Sequence, residues 1–276
     1  MTLLSQTKRS NHTLLALDTS GPTLYMGIYE KTDTAPVTLG ERQVTSDSQR
    51  YHSAILMDEL GELLKAAGKT LNEIDDLAIH NGPGSFTGIR TGLISARTFG
   101  QFLPITPYAI NAFELILYAC SSILFPAQAL QVAIDARRGR IYYASGKFEQ
   151  GAFAWQQSPC LLPIEALSPD YPVIASQSLL AAITDVLKDK PLAEKNRKGT
   201  EFSWEKNRHS HKLLSIEALY EKTPPSRLMA MMLLSACQQK FHPPSCSWQT
   251  LLPLYLEEPN ITLPKKNPVI LPVADF

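Results

Sequence analysis

The run Gly82-Pro83-Gly84-Ser85-Phe86-Thr87-Gly88-Ile89-Arg90 carries the densest chemical signal in the chain. It joins a strand-like segment, Leu77-Ala78-Ile79-His80, to a helix-like one reaching from Phe86 to Leu103. Backbone N–H groups at such a junction, with the helix dipole behind them, favour an anion. The glycines permit positive φ and close approach of another backbone, Pro83 stiffens the turn, and Ser85 is placed to cap the helix. A second candidate lies at the end of the first apolar run, where Asp18-Thr19-Ser20 could orient a phosphate- or metal-bound ligand. Asp18, Thr19, Ser20, Gly82, Gly84 and Ser85 therefore form a candidate phosphate loop. A purely structural strand-to-helix turn and an Asx-turn at Asp18 account for the same residue types equally well. Both readings stand at this level.

Beyond the turn, Gly84, Gly88, Gly92, Ala96 and Gly100 recur every four residues. On a helix that spacing makes one ridge almost without side chains. Each glycine costs about 1 kcal/mol of helix propensity relative to alanine. Several in register imply a neighbour that packs very close. Spacing leaves open whether that neighbour belongs to this chain or to another subunit.

The remaining chemical candidates are weaker. His52 opens a helix, but the positions four residues to either side are Ser48 and Leu56, so the spacing of a helical metal pair is missing. Cys120, Cys160, Cys237 and Cys246 contain no Cys-x-x-Cys and read as reduced, mostly buried thiols, which points to the cytoplasm. His209 and His211 fall in a polar stretch and read as solvated. Asp135-Ala136-Arg137-Arg138-Gly139-Arg140 is a turn with a cationic edge, in which Asp135 is expected to pair with an arginine.

These residues need elements to hold them. Thr13–Leu17, Leu24–Tyr29 and Arg42–Thr45 read as strands, the first two antiparallel across a short turn. Leu56, Leu60, Leu63, Leu64 and Ala67 follow helical spacing behind a Ser53 cap, and Gly68 stops the helix. Strand 77–80, the helix from Phe86 and a further strand complete an order of three strands, helix, strand, helix, strand, the ribonuclease H-like arrangement of a mixed sheet. The pattern restarts after Pro107 with a helix at 111–122, strands at 130–135, 141–144 and 173–175, and a helix at 178–187. The expected organisation is a flexible start at 1–11, a first lobe at 12–108, a second lobe at 109–252 and an extended tail at 253–276. The second lobe includes a polar insertion at 188–212, with eight Lys/Arg and four Asp/Glu, too charged and aperiodic for a core element. Its helix at 226–240 is expected to pack back on the first lobe.

Composition narrows the function. Over 276 residues, 26 Lys+Arg balance 26 Asp+Glu, so no chain-wide positive field holds nucleic acid. No apolar run approaches the roughly 20 residues needed to span a bilayer. Leu3-Leu4 is too short for a signal-peptide core.

Taken in order, Leu15-Ala16-Leu17-Asp18-Thr19-Ser20, His52-Ser53, the 82–90 run, Asp135-Ala136-Arg137-Arg138 before Tyr142, and Pro253-Leu254-Tyr255-Leu256 resemble the TsaB family. These are non-catalytic subunits of the bacterial machinery that makes threonylcarbamoyladenosine in tRNA. The resemblance is good over residues 13–145 and thin in the tail. It implies an α/β chain of the actin-like, Hsp70-like ATPase superfold, built of two ribonuclease H-like lobes with mixed sheets. It implies a TsaD-type catalytic partner, a TsaE-type ATPase as third member, tRNA met only through the complex, and no membrane. It implies a partner interface on the first-lobe helices, assigned to Leu56, Leu60, Leu63, Gly84, Gly88, Gly92 and Ala96. The resemblance thereby moves the small-residue ridge towards a contact between subunits. Self-association as a homodimer through the same surface is the alternative when the chain is alone. No resident cofactor and no metal are expected, with ATP or ADP at a subunit boundary left open. The second half departs from the family in having Ile174-Ala175-Ser176-Gln177-Ser178 where a glycine-bearing turn belongs, and Asn111-Ala112-Phe113-Glu114 for a Ser-Leu helix start. The competing function is an actin-like-fold kinase or ATPase acting on a small molecule. It would use Asp18 and Gly82–Ser85 around phosphate and would need glycine turns in the second lobe.

Overall fold

Thr13–Asp18 (β1) is buried at all six positions, as a strand covered on both faces must be. In the computed structural model, which describes residues 12–45, 52–123, 129–149, 152–188, 190, 213–234 and 247–256, β1 is the middle strand of a five-stranded sheet. Thr23–Glu30 (β2) and Val37–Thr45 (β3) extend it antiparallel on one side. Asp76–His80 (β4) and Thr106–Ile110 (β5) extend it parallel on the other. The crossovers are helices, His52–Ala66 (α1) and Phe86–Phe102 (α2). Both pack on one face of the sheet, with Leu56, Leu60 and Leu63 joining Leu15, Leu17, Ile79 and Ile89 in a shared apolar core. α1 starts at His52, so Ser53 lies inside its first turn and is not its cap. Gly68, at φ +63, ends it in the left-handed conformation that glycine adopts without strain.

The second sheet repeats the first. Leu130–Asp135 (β6), Arg140–Glu149 (β7) and Ala152–Pro163 (β8) run antiparallel, and Val173–Ala175 (β9) and Leu213–Ser215 (β10) join parallel to β6, in the order β10-β9-β6-β7-β8. Both lobes thus share one strand order, 3-2-1-4-5, counting along the chain within each. Ala112–Ile123 (α3), Leu180–Lys188 (α4), Ile216–Lys222 (α5) and Pro225–Leu234 (α6) complete the described elements. The central apolar cluster joins Leu14, Ala16 and Ala78 of the first sheet to Leu130, Val132 and Ile174 of the second. Phe113, Ile116 and Leu117 of α3 and Leu228, Met229 and Met232 of α6 fill the space between the sheets.

α6 follows the second lobe in the chain yet is locked to the first. The Tyr29 hydroxyl donates to Glu41 Oε1 at 2.8 Å, and Arg227 donates to both Glu41 oxygens, at 2.9 and 3.2 Å. Burial raises the Tyr29 phenol above its ordinary titration range, so it stays a donor. At α3 the unusual start Asn111–Glu114 is a reciprocal cap, each side chain accepting the other's backbone N–H, at 3.0 and 3.2 Å.

Some elements exceed the expectation from sequence. β8, β10 and α5 are additional. β8 carries Pro159, and its pairing with β7 slips at Tyr143/Ser145 and Ser145/Gly146, which erases the alternation that would reveal it. Cys120 is buried, and burial pushes its thiol up to about 12; Cys160 is half-buried. Residues 1–11, Ser48, residues 191–212 with His209 and His211, residues 235–240 with Cys237, Cys246 and residues 257–276 lie outside the described residues.

The N-terminal ends of the neighbouring strands β1 and β4 carry a pH-dependent contact. His12 Nε2 lies 2.5 Å from Asp76 Oδ2, and that hydrogen bond holds the imidazole above its ordinary value. A raised value means the contribution is complete below about pH 6.5 and fades as pH rises through the folded-state titration. With the His12 side chain 43% exposed, solvent screening keeps it under about 1 kcal/mol. Urea unfolding of wild type and His12→Gln should show a stability difference at acidic pH that disappears at alkaline pH. An equal difference at both would contradict this.

Candidate functional site

Because β1 and β4 are parallel neighbours, the turns at their C-terminal ends lie side by side. The first is an Asx-turn, in which Ser20 N–H donates to Asp18 Oδ1 at 2.8 Å. The second is Asn81–Ser85, with Gly82 at φ +112 and a cis bond to Pro83. Ser85 caps α2, its hydroxyl accepting from Gly88 N–H at 3.3 Å. Its own N–H donates to the carbonyl of Ser20 at 2.7 Å, and Thr19 Oγ1 donates to the Gly88 carbonyl at 2.7 Å. The six candidate loop residues are therefore gathered in one place. Two amides that a phosphate would use at the N-terminus of α2 are held by partners within this chain.

The small-residue ridge is what allows this. A Cβ on Gly84 would come to 2.6 Å from Ser20 O, one on Gly88 would overlap Thr19 O, and one on Gly92 would reach 2.5 Å from Thr19 Oγ1 and 2.9 Å from Ile79 Cδ1. Gly100 faces Trp248 and Pro107. The close neighbour is the chain's own 18–20 turn and β4. This corrects the seven-residue interface assignment. Leu56, Leu60, Leu63, Gly88, Gly92 and Ala96 are buried inside the first lobe, and Gly84 lies against Ser20. The six buried residues present no surface to another subunit, whereas Gly84 is exposed. What α1 and α2 show outward is a different set, Met57 (53% exposed), Phe86, Ile94 (63%) and Phe102 (74%). Phe86, Arg90, Ile94, Thr98 and Phe102 follow one another at intervals of four, the row on the outer side of α2 from the glycines.

His52 and His80 support the same turns. The His52 ring lies with Nδ1 3.2 Å from Thr19 O and Nε2 3.3 Å from Pro22 O, which fastens α1 to the turn. His80 Nδ1 accepts from Gly82 N–H at 3.3 Å, and its 3.7 Å separation from Asp18 Oδ1 is too long for a hydrogen bond. Tyr220 of α5 is half-buried, and the shielding of its hydroxyl from water, helped by the charge of Asp18, raises its phenol well above the ordinary value.

A cleft of about 730 Å³ opens between the lobes. Ser20, Pro22, His52, Ser85 and Thr87 line it from the first lobe, and Asp135, Arg137, Tyr142 and Ser176 from the second. Asp135 accepts from the Arg137 backbone N–H at 2.7 Å and from Ser178 Oγ at 3.1 Å. Arg137 and Arg138 stand at φ 64 and 54, the left-handed region that side-chain-bearing residues rarely adopt. The turn after β9 presents Ser176, Gln177 and Ser178, with Gln177 N–H held by Glu217 at 2.9 Å. Among the described residues, no three His, Cys, Asp or Glu side chains gather as a metal site would require.

The tRNA N6-adenosine threonylcarbamoyltransferase family, TsaD, matches residues 43–178. The tRNA threonylcarbamoyladenosine biosynthesis protein TsaB of Haemophilus influenzae is 35% identical over 137 residues, covering 49% of this chain and 53% of that protein. The Bacillus subtilis protein of the same name is 29% identical over 143 residues, covering 50% and 58%. About half of this chain is similar to TsaB. The matches span little more than half the length of these curated relatives. In three dimensions the likeness extends further, since YeaZ of Pseudomonas aeruginosa superposes with a TM-score of 0.60 over 89% of this chain and 100% of its own, at 19% identity. A second P. aeruginosa structure, described as an uncharacterized protein with similarity to peptidase YEAZ, gives the same TM-score at 18% identity. At such identity the likeness shows the fold alone, an α/β arrangement of two lobes each built on a mixed five-stranded sheet.

The lock between the turn and α2 has a direct consequence. Gly88→Ala gains about 1 kcal/mol of helix propensity but forces a methyl group onto a backbone carbonyl that cannot rotate away. The net expectation is destabilisation by about 2 kcal/mol or more, read from urea unfolding. A variant as stable as wild type would show that the helix does not sit on the Thr19 carbonyl.

Proposed function

We propose that this chain is a non-catalytic subunit of the machinery that makes threonylcarbamoyladenosine in tRNA. It holds a TsaD-type transferase against the outward faces of α1 and α2, in the cytoplasm, with a TsaE-type ATPase as third member. The names of the H. influenzae and B. subtilis relatives support the process. The observation that carries the subunit role is the exposed row on α2. Ile94 and Phe102 of α2 and Met57 of α1 stand in solvent, while the candidate phosphate-loop turns on the other side of α2 bond to one another. Large apolar side chains clustered on a helix pair mark a protein-binding face. The charges around them are arranged for docking, with Asp58 and Glu62 exposed on α1 and Arg90 and Arg97 exposed on α2. A partner with a similar helix pair meets each sign with its opposite across a two-fold axis, and a second copy of this chain would do so when the transferase is missing.

A charge at the centre of such a face is costly. Ile94→Glu should weaken capture of the co-expressed transferase by about 30-fold or more, the effect of losing a central apolar anchor. The variant should keep the wild-type unfolding midpoint, because Ile94 is 63% exposed. Normal capture by Ile94→Glu would overturn the interface, and transfer of threonylcarbamoyl to tRNA by the chain alone would overturn the non-catalytic role.

A further inference from the structure

After the second lobe the chain returns to the first, and residues 247–256 run along it without regular secondary structure. A turn at Ser247, whose carbonyl accepts from Thr250 and Leu251 N–H, brings Trp248 against Gly100 at the C-terminal end of α2. Leu251 is fully buried in the first-lobe core. Leu254 N–H then donates to Asn81 O at 2.8 Å, and Asn81 Nδ2 donates to Leu252 O at 3.2 Å. The Leu254 carbonyl lies 3.1 Å from where a Cβ on Gly82 would stand. At the far end the Tyr255 ring stacks on Phe86, with centroids 5.3 Å apart and planes 27° from parallel. Arg90 closes the group, its guanidinium carbon 3.9 Å from the Phe86 centroid and its Nε donating to the Tyr255 hydroxyl at 3.2 Å.

These contacts fall on the part of α2 least able to form by itself. Gly82, Gly84 and Gly88 give the turn and first helical residues poor intrinsic propensity, so order there must come from neighbours. The 18–20 turn supplies it on the glycine side, and residues 252–255 supply it on the other. We infer that residues 247–256 are a strap that positions the N-terminal turn of α2, and that Tyr255 is the positioning residue which sets Phe86 and Arg90 at the edge of the docking face. The part concerning the docking face rests on the function proposed above; the part concerning the turn does not. Tyr255 acts through Phe86 and Arg90, by an aromatic stack and a cation held over the same ring.

The test uses the full chain and reads local order separately from binding. Amide exchange at Ser85 and Gly88, whose N–H groups define the turn, should quicken about tenfold in Tyr255→Ala. The urea midpoint should stay near wild type, because the side chain is 42% exposed. Capture of the transferase should weaken by a similar factor. Tyr255→Phe keeps the stack and should restore both, whereas a merely bulky surface contact would be indifferent to an aromatic ring. Leu252→Ala, which removes an exposed side chain but leaves the strap's backbone bonds, should behave as wild type. Unchanged exchange in Tyr255→Ala, or failure of Tyr255→Phe to restore it, overturns the strap. Faster exchange with undiminished capture overturns its link to the docking face. If wild type itself captures no transferase, the proposed function fails and the exchange measurement still decides the strap.

Discussion

Most of what distinguishes this chain follows from one contact, the Ser20 carbonyl accepting the N–H of Ser85 while the Thr19 hydroxyl reaches the Gly88 carbonyl. It joins the turn after β1 to the first residues of α2 at a distance only glycine permits. Gly84 and Gly88 face backbone carbonyls that cannot move aside, and Gly92 faces the Thr19 hydroxyl and the Ile79 methyl. The same contact occupies the Ser85 amide, and the Ser85 hydroxyl takes the Gly88 N–H, so two amides at the helix N-terminus that would otherwise face an anion are held within the chain. A junction that looks built for phosphate is thereby turned into a joint. His52, fixed between the carbonyls of Thr19 and Pro22, fastens α1 to the same joint.

Once the glycine side of α2 is committed inward, its other side is what remains exposed. The outward residues of α1 and α2 are then held by three supports: the apolar core beneath, the 18–20 turn at the N-terminal end, and the strap around the edge. Under the proposed function such support would favour docking, since order established before binding is not a cost at the moment of binding. The layer of α3 and α6 between the sheets, with the bond from Arg227 to Glu41 as its outer fastening, ties the second lobe to this arrangement.

Much of this was legible in the residues and some was not. The strand β1, the helices α1 and α2 and the glycine spine follow from local periodicity, which is why the first lobe reads clearly. Spacing announces that a neighbour comes close to Gly88 and Gly92, but not which neighbour. Family resemblance pointed to another subunit, and the geometry gives Thr19, Ser20 and Ile79. The two turns are 60-odd residues apart in sequence and meet only because β1 and β4 pair in parallel, a long-range fact that no local pattern contains. The outward row from Phe86 to Phe102 lay in the same helix at the same spacing as the glycines, and a search for exposed apolar residues at intervals of four would have found it. The second lobe is harder because β9 and β10 have three residues each and β8 is broken by irregular pairing. That both lobes share one strand order is carried by topology, without a repeated motif to betray it.

The joint between the two turns can be observed without reference to any partner. A scalar coupling measured by NMR across the hydrogen bond from the Ser85 amide nitrogen to the Ser20 carbonyl carbon reports that single contact. The account predicts that the coupling is present in the isolated chain and persists when ATP and magnesium are added. Its absence, or its loss on adding nucleotide, would mean that the helix N-terminus is open to phosphate and would contradict the account.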